Sequence, residues 1–347
     1  MPTISGNDRV LVTGANGFLA VWVVKSFLDK GYTVIGTVRS EAKGAHLKKI
    51  FKEHGDKFQL AVVEDITADG AFDELVKDVD AIAHTASPFH WEGEDPQVWI
   101  HPAVNGTLSV LKSALKHGKN VKRVVVTSSC AAVQKAVTEP QTFTEEDWNQ
   151  ASIDEVETKG KDASNIMKYC ASKTLAERAA WDFVKEHKSE ISWDLTTLNP
   201  PYIFGPVLHE TSKPEDLNTS AKLMWQATLP TSTMSPKELA APRGGWIDVR
   251  DIARAHVLAL EVEAASGQRF ITATGAWTYQ DFLDIASSLS PSPLKREVPK
   301  GVKGGGEDTK HIVKYDASKA AKVLKLEYIS AEQSLKDTFE DYAQRGW

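Results

Sequence analysis

The sequence predicts an α/β protein: a doubly wound parallel sheet with helices on both faces, plus a smaller C-terminal lobe. Three observations lead there. Short runs rich in Val and Ile alternate with stretches of helical periodicity over the first two-thirds of the chain. The runs are continuous rather than alternating in polarity, as burial on both sides of a sheet requires. A turn Gly14-x-x-Gly17-x-x-Ala20 separates the first run from the first helix, the local pattern of a Rossmann dinucleotide site.

The elements follow in order. Arg9 to Thr13 reads as a strand, and Phe18 to Lys30 as a helix ended by Gly31. Further strands are expected at Tyr32 to Val38, Phe58 to Val63, Ala81 to His84, Val124 to Val126 and Trp193 to Leu198. Helices are expected between them at Gly44 to Glu53, Gly70 to Lys77, Pro96 to His117 and Ser164 to His187. After Asn199 the rhythm breaks. Segment 205–245 is rich in Pro, Ser and Thr, with one helical patch near Trp225. A strong helix returns at Asp248 to Leu260, then a strand at Arg269 to Thr272 and helices at Thr278 to Leu289, Asp316 to Leu324 and Ser330 to Gln344. Residues 1–200 and 246–272 therefore form the predicted dinucleotide-binding domain, and 201–245 with 273–347 the substrate lobe.

Composition narrows the function. The 347 residues are 41% hydrophobic and 25% charged, with net charge −6. A nucleic-acid partner usually needs a basic face, so none is expected. No stretch approaches the ~20 apolar residues of a membrane span. The N-terminus lacks a basic segment followed by an apolar one, so the reading is a cytoplasmic protein, monomer or homodimer. Cys130 and Cys170 are the only two cysteines. No Cys/His spacing resembles a zinc site, so no metal is expected.

The glycine turn supplies a phosphate cradle. Gly14 permits the tight turn, Gly17 keeps a Cβ away from a pyrophosphate, and Ala20 allows close helix–strand packing. Asn16, Phe18 and Leu19 then lie along the phosphates, where free helix N–H groups and the dipole face the anion. Strand two ends Gly36-Thr-Val-Arg39-Ser40, without the acidic residue that bonds a ribose 2′-hydroxyl. Arg39 can instead pair a 2′-phosphate bidentately, with Lys43 adding charge. The cofactor reading is NADP(H). Asp65-Ile66, past the third strand, is placed to reach the adenine; a local helix cap explains Asp65 as well.

Chemistry is carried by Ser129, Tyr169 and Lys173. Tyr169 and Lys173 sit four apart on one helix face. A neighbouring ammonium is expected to lower the phenol from its usual ~10 toward neutrality. Tyr169 would donate a proton, Ser129 would bond the substrate oxygen, and Lys173 would also bond the nicotinamide ribose. A second copy, Tyr315-Asp-Ala-Ser-Lys319, falls outside the sheet-forming part of the chain. It reads as a structural helix with Asp316 at its N-cap.

These motifs, with Asn199-Pro-Pro-Tyr and Asp248-Val-Arg-Asp, resemble an extended short-chain dehydrogenase/reductase of the dihydroflavonol-reductase-like branch. His84-Thr-Ala-Ser-Pro-Phe89, Pro102-Ala-Val-Asn-Gly106, Tyr169-Cys-Ala-Ser-Lys173 and Gly245-Trp-Ile-Asp-Val-Arg-Asp251 look like yeast-type NADPH-dependent methylglyoxal and carbonyl reductases. The resemblance implies a small-molecule carbonyl substrate reduced to an alcohol. It also implies that His84, Thr85, Ala86, Pro200 and Tyr202 flank the cofactor, and that Phe89, Cys130, Tyr202 and Trp225 shape the pocket. Relatives often carry an aromatic residue where this chain has Cys130, which would widen that pocket. Asn105 matches an Asn that orders a proton-relay water in some short-chain relatives. Two other readings compete. Nucleotide-sugar epimerases and dehydratases share the fold but favour an acid at the Arg39 position, and non-catalytic sensing proteins tend to lose the Tyr–Lys pair.

Overall fold

The computed structural model describes residues 3–87 and 93–347. In chain order the elements are β1 (Arg9–Thr13), α1 (Phe18–Asp29), β2 (Thr33–Val38), α2 (Glu41–Ile50), β3 (Phe58–Val62), β4 (Ala81–His84), α3 (Gln97–His117), β5 (Arg123–Thr127), β6 (Gln141–Phe143), α4 (Gln150–Lys159), α5 (Asn165–Glu186), β7 (Asp194–Asn199), β8 (Tyr202–Phe204), α6 (Thr219–Ala227), α7 (Pro236–Leu239), β9 (Trp246–Asp248), α8 (Val249–Glu261), β10 (Arg269–Ile271), α9 (Tyr279–Ser288), β11 (Val313–Tyr315) and α10 (Ala331–Gln344).

Seven parallel strands form the main sheet in the order β3-β2-β1-β4-β5-β7-β10. Period-two alternation sends adjacent residues to opposite cores. On one face Val10, Val12, Ala81, Ala83 and Val125 pack under α1 and α8. On the other, Leu11, Ile82, Val124 and Val126 pack under α3 and α5. Each fully buried aliphatic contributes about 1.5–3 kcal/mol, so both faces must be covered, and the sheet is doubly wound. The chain runs β1, β2, β3 outward and then returns beside β1 as β4. That reversal opens a crevice at the carboxyl ends of β1 and β4.

The second lobe has its own aromatic core, with Phe204, Trp246, Trp277, Phe282, Phe339 and Tyr342. The Asp248 carboxylate caps α8, accepting from the Arg250 N–H at 2.9 Å. Its strand, β9, pairs in parallel with β8 beside the main sheet. No helix among the described residues is long and apolar enough to cross a membrane.

Several expectations need correction. Gly70 to Lys77 is not a helix. Gly70 has φ +74, which breaks an α-helical turn, and only a 3₁₀ turn forms at Leu75–Asp78. The segment 273–347 does not stay in one lobe. Ala320, Leu324 and Leu326 are buried in the core beneath α1 and α8, and β11 pairs with β6. Conversely Trp246, inside the segment assigned to the sheet domain, packs into the second lobe. Tyr315 ends β11; as expected, Asp316 starts the helical turns that follow, accepting from the Ser318 N–H at 2.9 Å, and these turns become π-helical at Ala320–Leu324. The Tyr315 hydroxyl bonds the Gln134 side chain, and the Lys319 ammonium sits 5.4 Å from the Phe270 ring centre. The second Tyr-x-x-x-Lys copy is thus split between elements.

Candidate active site

The site is built at the β1/β4 crevice. Gly14 takes φ +66, and a Cβ there would meet Ala86 at 3.1 Å. The turn is therefore closed to a larger residue on both conformational and steric grounds. Its N–H donates to the Thr37 hydroxyl at 3.1 Å. Gly17 is the exposed N-cap of α1 and offers no side-chain cap, so the first-turn N–H groups at Phe18 and Leu19 remain free for an anion. Ala15 packs against Gly36, where a Cβ would come within 2.8 Å.

Arg39 stands exposed directly past β2, and no salt bridge to it occurs among the described residues. Lys43 is exposed one turn into α2. Asp65 accepts from the Thr67 N–H at 2.8 Å and the Thr67 hydroxyl at 2.7 Å. Those bonds hold its carboxyl below the usual range, with smaller help from the Arg39 and His101 charges. Asp65 therefore caps its own turn. Ile66 packs where a Cβ on Gly106 would stand, at 2.8 Å, which accounts for the glycine of the Pro102-to-Gly106 motif on α3. These residues fit an NADP-type dinucleotide: a glycine cradle under a helix N-terminus, and an exposed guanidinium just past the second strand.

Thr13, at the end of β1, fastens the next wall. Its hydroxyl accepts from the Thr85 and Ala86 N–H groups at 3.1 and 3.0 Å and meets His84 Nδ1 at 3.0 Å. Beyond β5, Ser129 caps a 3₁₀ turn, accepting from the Ala131 N–H at 3.1 Å. Its loop is tied to the segment after β7. Cys130 N–H donates to Pro200 O at 2.9 Å, and the Asn199 amide donates to Ser129 O at 3.2 Å.

On α5, started by the Ser164 N-cap, Tyr169 and Lys173 are half-buried on one face. The Ser129 hydroxyl donates to Pro200 O at 3.5 Å and lies close enough to the Tyr169 phenol to pull its pKa down. The Lys173 ammonium donates to the Ser87 hydroxyl at 2.9 Å and lies 6.0 Å from the Tyr169 ring centre. The structure thus brings Ser129, Tyr169 and Lys173 to one place beside the glycine turn.

The expected electrostatics are reversed. Burial pushes the Tyr169 phenol up to about 12, with the Ser129 hydrogen bond pulling the other way. Burial also pulls the Lys173 ammonium down to about 8. The lysine ammonium bonds Ser87, and desolvation is the largest influence on both groups. Tyr169 stays protonated across neutral pH, which is the form a proton donor needs.

Two of the expected pocket residues, Cys130 and Trp225, are buried in cores. Cys130 is 2% exposed, packs with Phe143 and Ile271, and donates its thiol to Asn199 O at 3.1 Å. It lies behind the Ser129 loop in a small core. Trp225 is buried in the lobe core against Tyr342 and Trp347, with Arg296 over its ring. Apolar packing accounts for both residues. Phe89 lies outside the described residues. Tyr202 remains half-exposed, stacked on Phe204 and edge-on to Trp277. Asn105 donates to His101 on its own helix at 2.8 Å, so its amide is engaged locally.

Sequence reasoning missed Ser87 and Glu177. Glu177 is 1% exposed and accepts from Ser128 (2.5 Å), Asn199 (2.7 Å), Thr197 (3.0 Å) and Arg269 (2.6 Å). Its position eight after Tyr169, on the same helix face, was the available signal. Through Asn199 it fixes the Ser129 backbone.

Three buried histidines make the fold acid-sensitive. Burial lowers His84 to about 3, and His209 and His256 to about 4. The unfolded chain takes these protons near ~6.5, so the unfolded state binds more protons as pH falls. Stability present above about 6.5 is then lost toward pH 4, by up to about 1.4 kcal/mol per pH unit for each group. Asp251, raised to about 6 by burial, opposes the loss below that pH. His209→Gln should remove one histidine's share of the slope. Urea midpoints at pH 7.5 and 5.0 measure it, and an unchanged pH dependence would refute the assignment.

A parallel sheet with a glycine turn at its reversal point and a Tyr–Lys pair on the flanking helix defines a dinucleotide-binding protein of the short-chain dehydrogenase/reductase class. Residues 10–272 match the NAD dependent epimerase/dehydratase family, and the chain belongs to it. The NADPH-dependent methylglyoxal reductase of Saccharomyces cerevisiae is 37% identical over 347 residues, covering 97% of both chains. A ketoreductase of Aspergillus niger is 36% identical, covering 92% of this chain and 93% of its own. The crystal structure of the yeast methylglyoxal/isovaleraldehyde reductase complexed with NADPH superposes with a TM-score of 0.85 at 35% identity, covering 97% of this chain and 99% of that one.

Proposed function

We propose that this chain is an NADPH-dependent carbonyl reductase that converts small aldehydes and ketones into alcohols. The observation that carries the reading is the meeting of Ser129, Tyr169 and Lys173 beside the glycine turn. The relatives named above, with their NADPH and carbonyl chemistry, support it.

The roles follow from the geometry. Gly14 to Leu19 hold the pyrophosphate through backbone N–H groups. Arg39, aided by Lys43, pairs the 2′-phosphate. When bound, the cofactor supplies the hydride that the carbonyl carbon accepts. Ser129 bonds the carbonyl oxygen and steadies the charge that develops there. Tyr169 holds its proton at the phenol oxygen until that oxygen takes it, giving the alcohol, and solvent then reprotonates the tyrosine. Lys173, anchored on Ser87, holds positive charge beside the phenol and cofactor ribose. Thr85, Ala86, Pro200 and Tyr202 wall the crevice.

Following NADPH absorbance against aldehydes, α-dicarbonyls, α-chloroketones and β-ketoesters tests the reaction; no turnover on any of them would sink it. Arg39→Ala should weaken NADPH by roughly 10- to 100-fold, the loss of charge-assisted hydrogen bonds, and NADH by less than about threefold. Equal losses for both cofactors would remove Arg39 from the 2′-phosphate site.

A further inference from the structure

Behind Lys173 lies a small cavity of about 10 Å³, walled by His84, Ser87, Thr107, Ser128, Lys173 and Glu177, with room for about one water. His84 ends β4 and is 2% exposed, and its Nε2 meets no partner among the described residues. Such a buried polar atom is costly unless something satisfies it.

The neighbours fix which nitrogen carries the proton. The Thr13 hydroxyl oxygen already accepts from the Thr85 and Ala86 N–H groups, which occupy its two lone pairs. Its own proton must therefore go to His84 Nδ1, 3.0 Å away. Burial keeps the ring neutral, so Nε2 bears the remaining ring proton and is a donor at the cavity wall.

The other walls complement it. Lys173 has one N–H on Ser87 and others unassigned. Ser128 donates its proton to Glu177, and Thr107 donates to Ala103 O at 2.9 Å. Both hydroxyls keep lone pairs. The His84 Nε2–H and a Lys173 N–H can donate there and the Ser128 and Thr107 oxygens can accept, an arrangement that suits one tetrahedral water.

We propose that this cavity is a built water site and that His84, through its Nε2–H, positions there a water that hydrogen-bonds the Lys173 ammonium. His84 is then a positioning residue: it touches neither substrate nor cofactor through Nε2 and acts by holding the lysine's partner. The inference rests on the role given to Lys173 above only for its effect on turnover.

Two substitutions separate the ring's two jobs by side-chain length. The amide of His84→Asn reaches only the Nδ1 position, keeping the Thr13 partner and losing the cavity donor. His84→Gln places an amide N–H near the Nε2 position. The expected result is a water in a high-resolution crystal structure of the wild-type protein, within hydrogen-bonding distance of His84 Nε2 and Lys173 Nζ. His84→Asn should lose it and lower kcat roughly 5- to 15-fold, the scale of one lost bond to a charged group, with the KM for NADPH unchanged within twofold. His84→Gln should restore most of kcat. A wild-type cavity without that water, or a folded His84→Asn with unaltered kcat, or a His84→Gln as impaired as the Asn variant, overturns the proposal. Should His84→Asn not fold, the wild-type water decides alone. Full turnover in Lys173→Ala would instead refute the catalytic reading, and the crystallographic water would stand or fall separately.

Discussion

Tyr169→Phe is expected to lower turnover by about 10²- to 10⁴-fold, the usual contribution of a positioned acid, while NADPH affinity stays within about twofold. The substitution removes one oxygen and leaves the ring. Burial keeps the phenol protonated, with its pKa pushed up to about 12 despite the opposing pull of Ser129. Without it, the developing oxygen anion has Ser129 and the Lys173 charge but no proton at hand. Single-turnover NADPH oxidation measures the chemical step, and NADPH fluorescence titration measures binding. A variant with wild-type turnover would assign the proton to another group. Because the phenol titrates far above neutrality, the wild-type rate should show no alkaline loss attributable to Tyr169 between about pH 6 and 9.

Asp194→Ala should cost about 3–5 kcal/mol of stability, the consequence of leaving a buried charge unpaired. Arg123, the first residue of β5, is 0% exposed. Its guanidinium is held bidentately by Asp194 at the start of β7. The remaining N–H groups donate to Ala259 O at 2.8 Å, Val262 O at 2.6 Å and Glu263 O at 3.3 Å. All five donors are satisfied. One side chain thus ties two central strands to the carboxyl end of α8, whose last carbonyls it caps. Urea unfolding followed by tryptophan fluorescence reads the loss, and a shift below about 1 kcal/mol would show that the pair is dispensable. Adding Arg123→Met to Asp194→Ala should restore only part of the stability. The apolar side chain removes the stranded charge, but it leaves the α8 carbonyls uncapped.

Much of the site was legible before any coordinates. Gly14, Gly17, Tyr169 and Lys173 sit in patterns whose spacing is itself the physical requirement: a turn short enough for a helix N-terminus to face a phosphate, and two side chains one helical turn apart. The strands of the main sheet were legible because burial on both faces demands continuous apolar runs. Arg123 and Asp194 were not. Each stands at the edge of an apolar run, and nothing local says that β5 and β7 will lie side by side and enclose both charges. Glu177 was hidden for the same reason, since its partners come from β7, β10 and the residue that follows β5. Cys130 and Trp225 misled in the opposite direction: proximity in sequence to Ser129, or aromatic character in a second lobe, says nothing about which way a side chain turns.

The chain's local chemistry by itself determined the α/β alternation, the dinucleotide turn, the missing acid after the second strand and the Tyr–Lys spacing, because each depends on residues within one or two turns of each other. Only the tertiary structure decided that burial would raise the phenol and lower the lysine, that Ser87 would receive the ammonium, and that His84 would aim a proton into a cavity. Desolvation and hydrogen-bond partnership depend on what surrounds a group in space. Those surroundings are assembled from segments as far apart as β1 and α5.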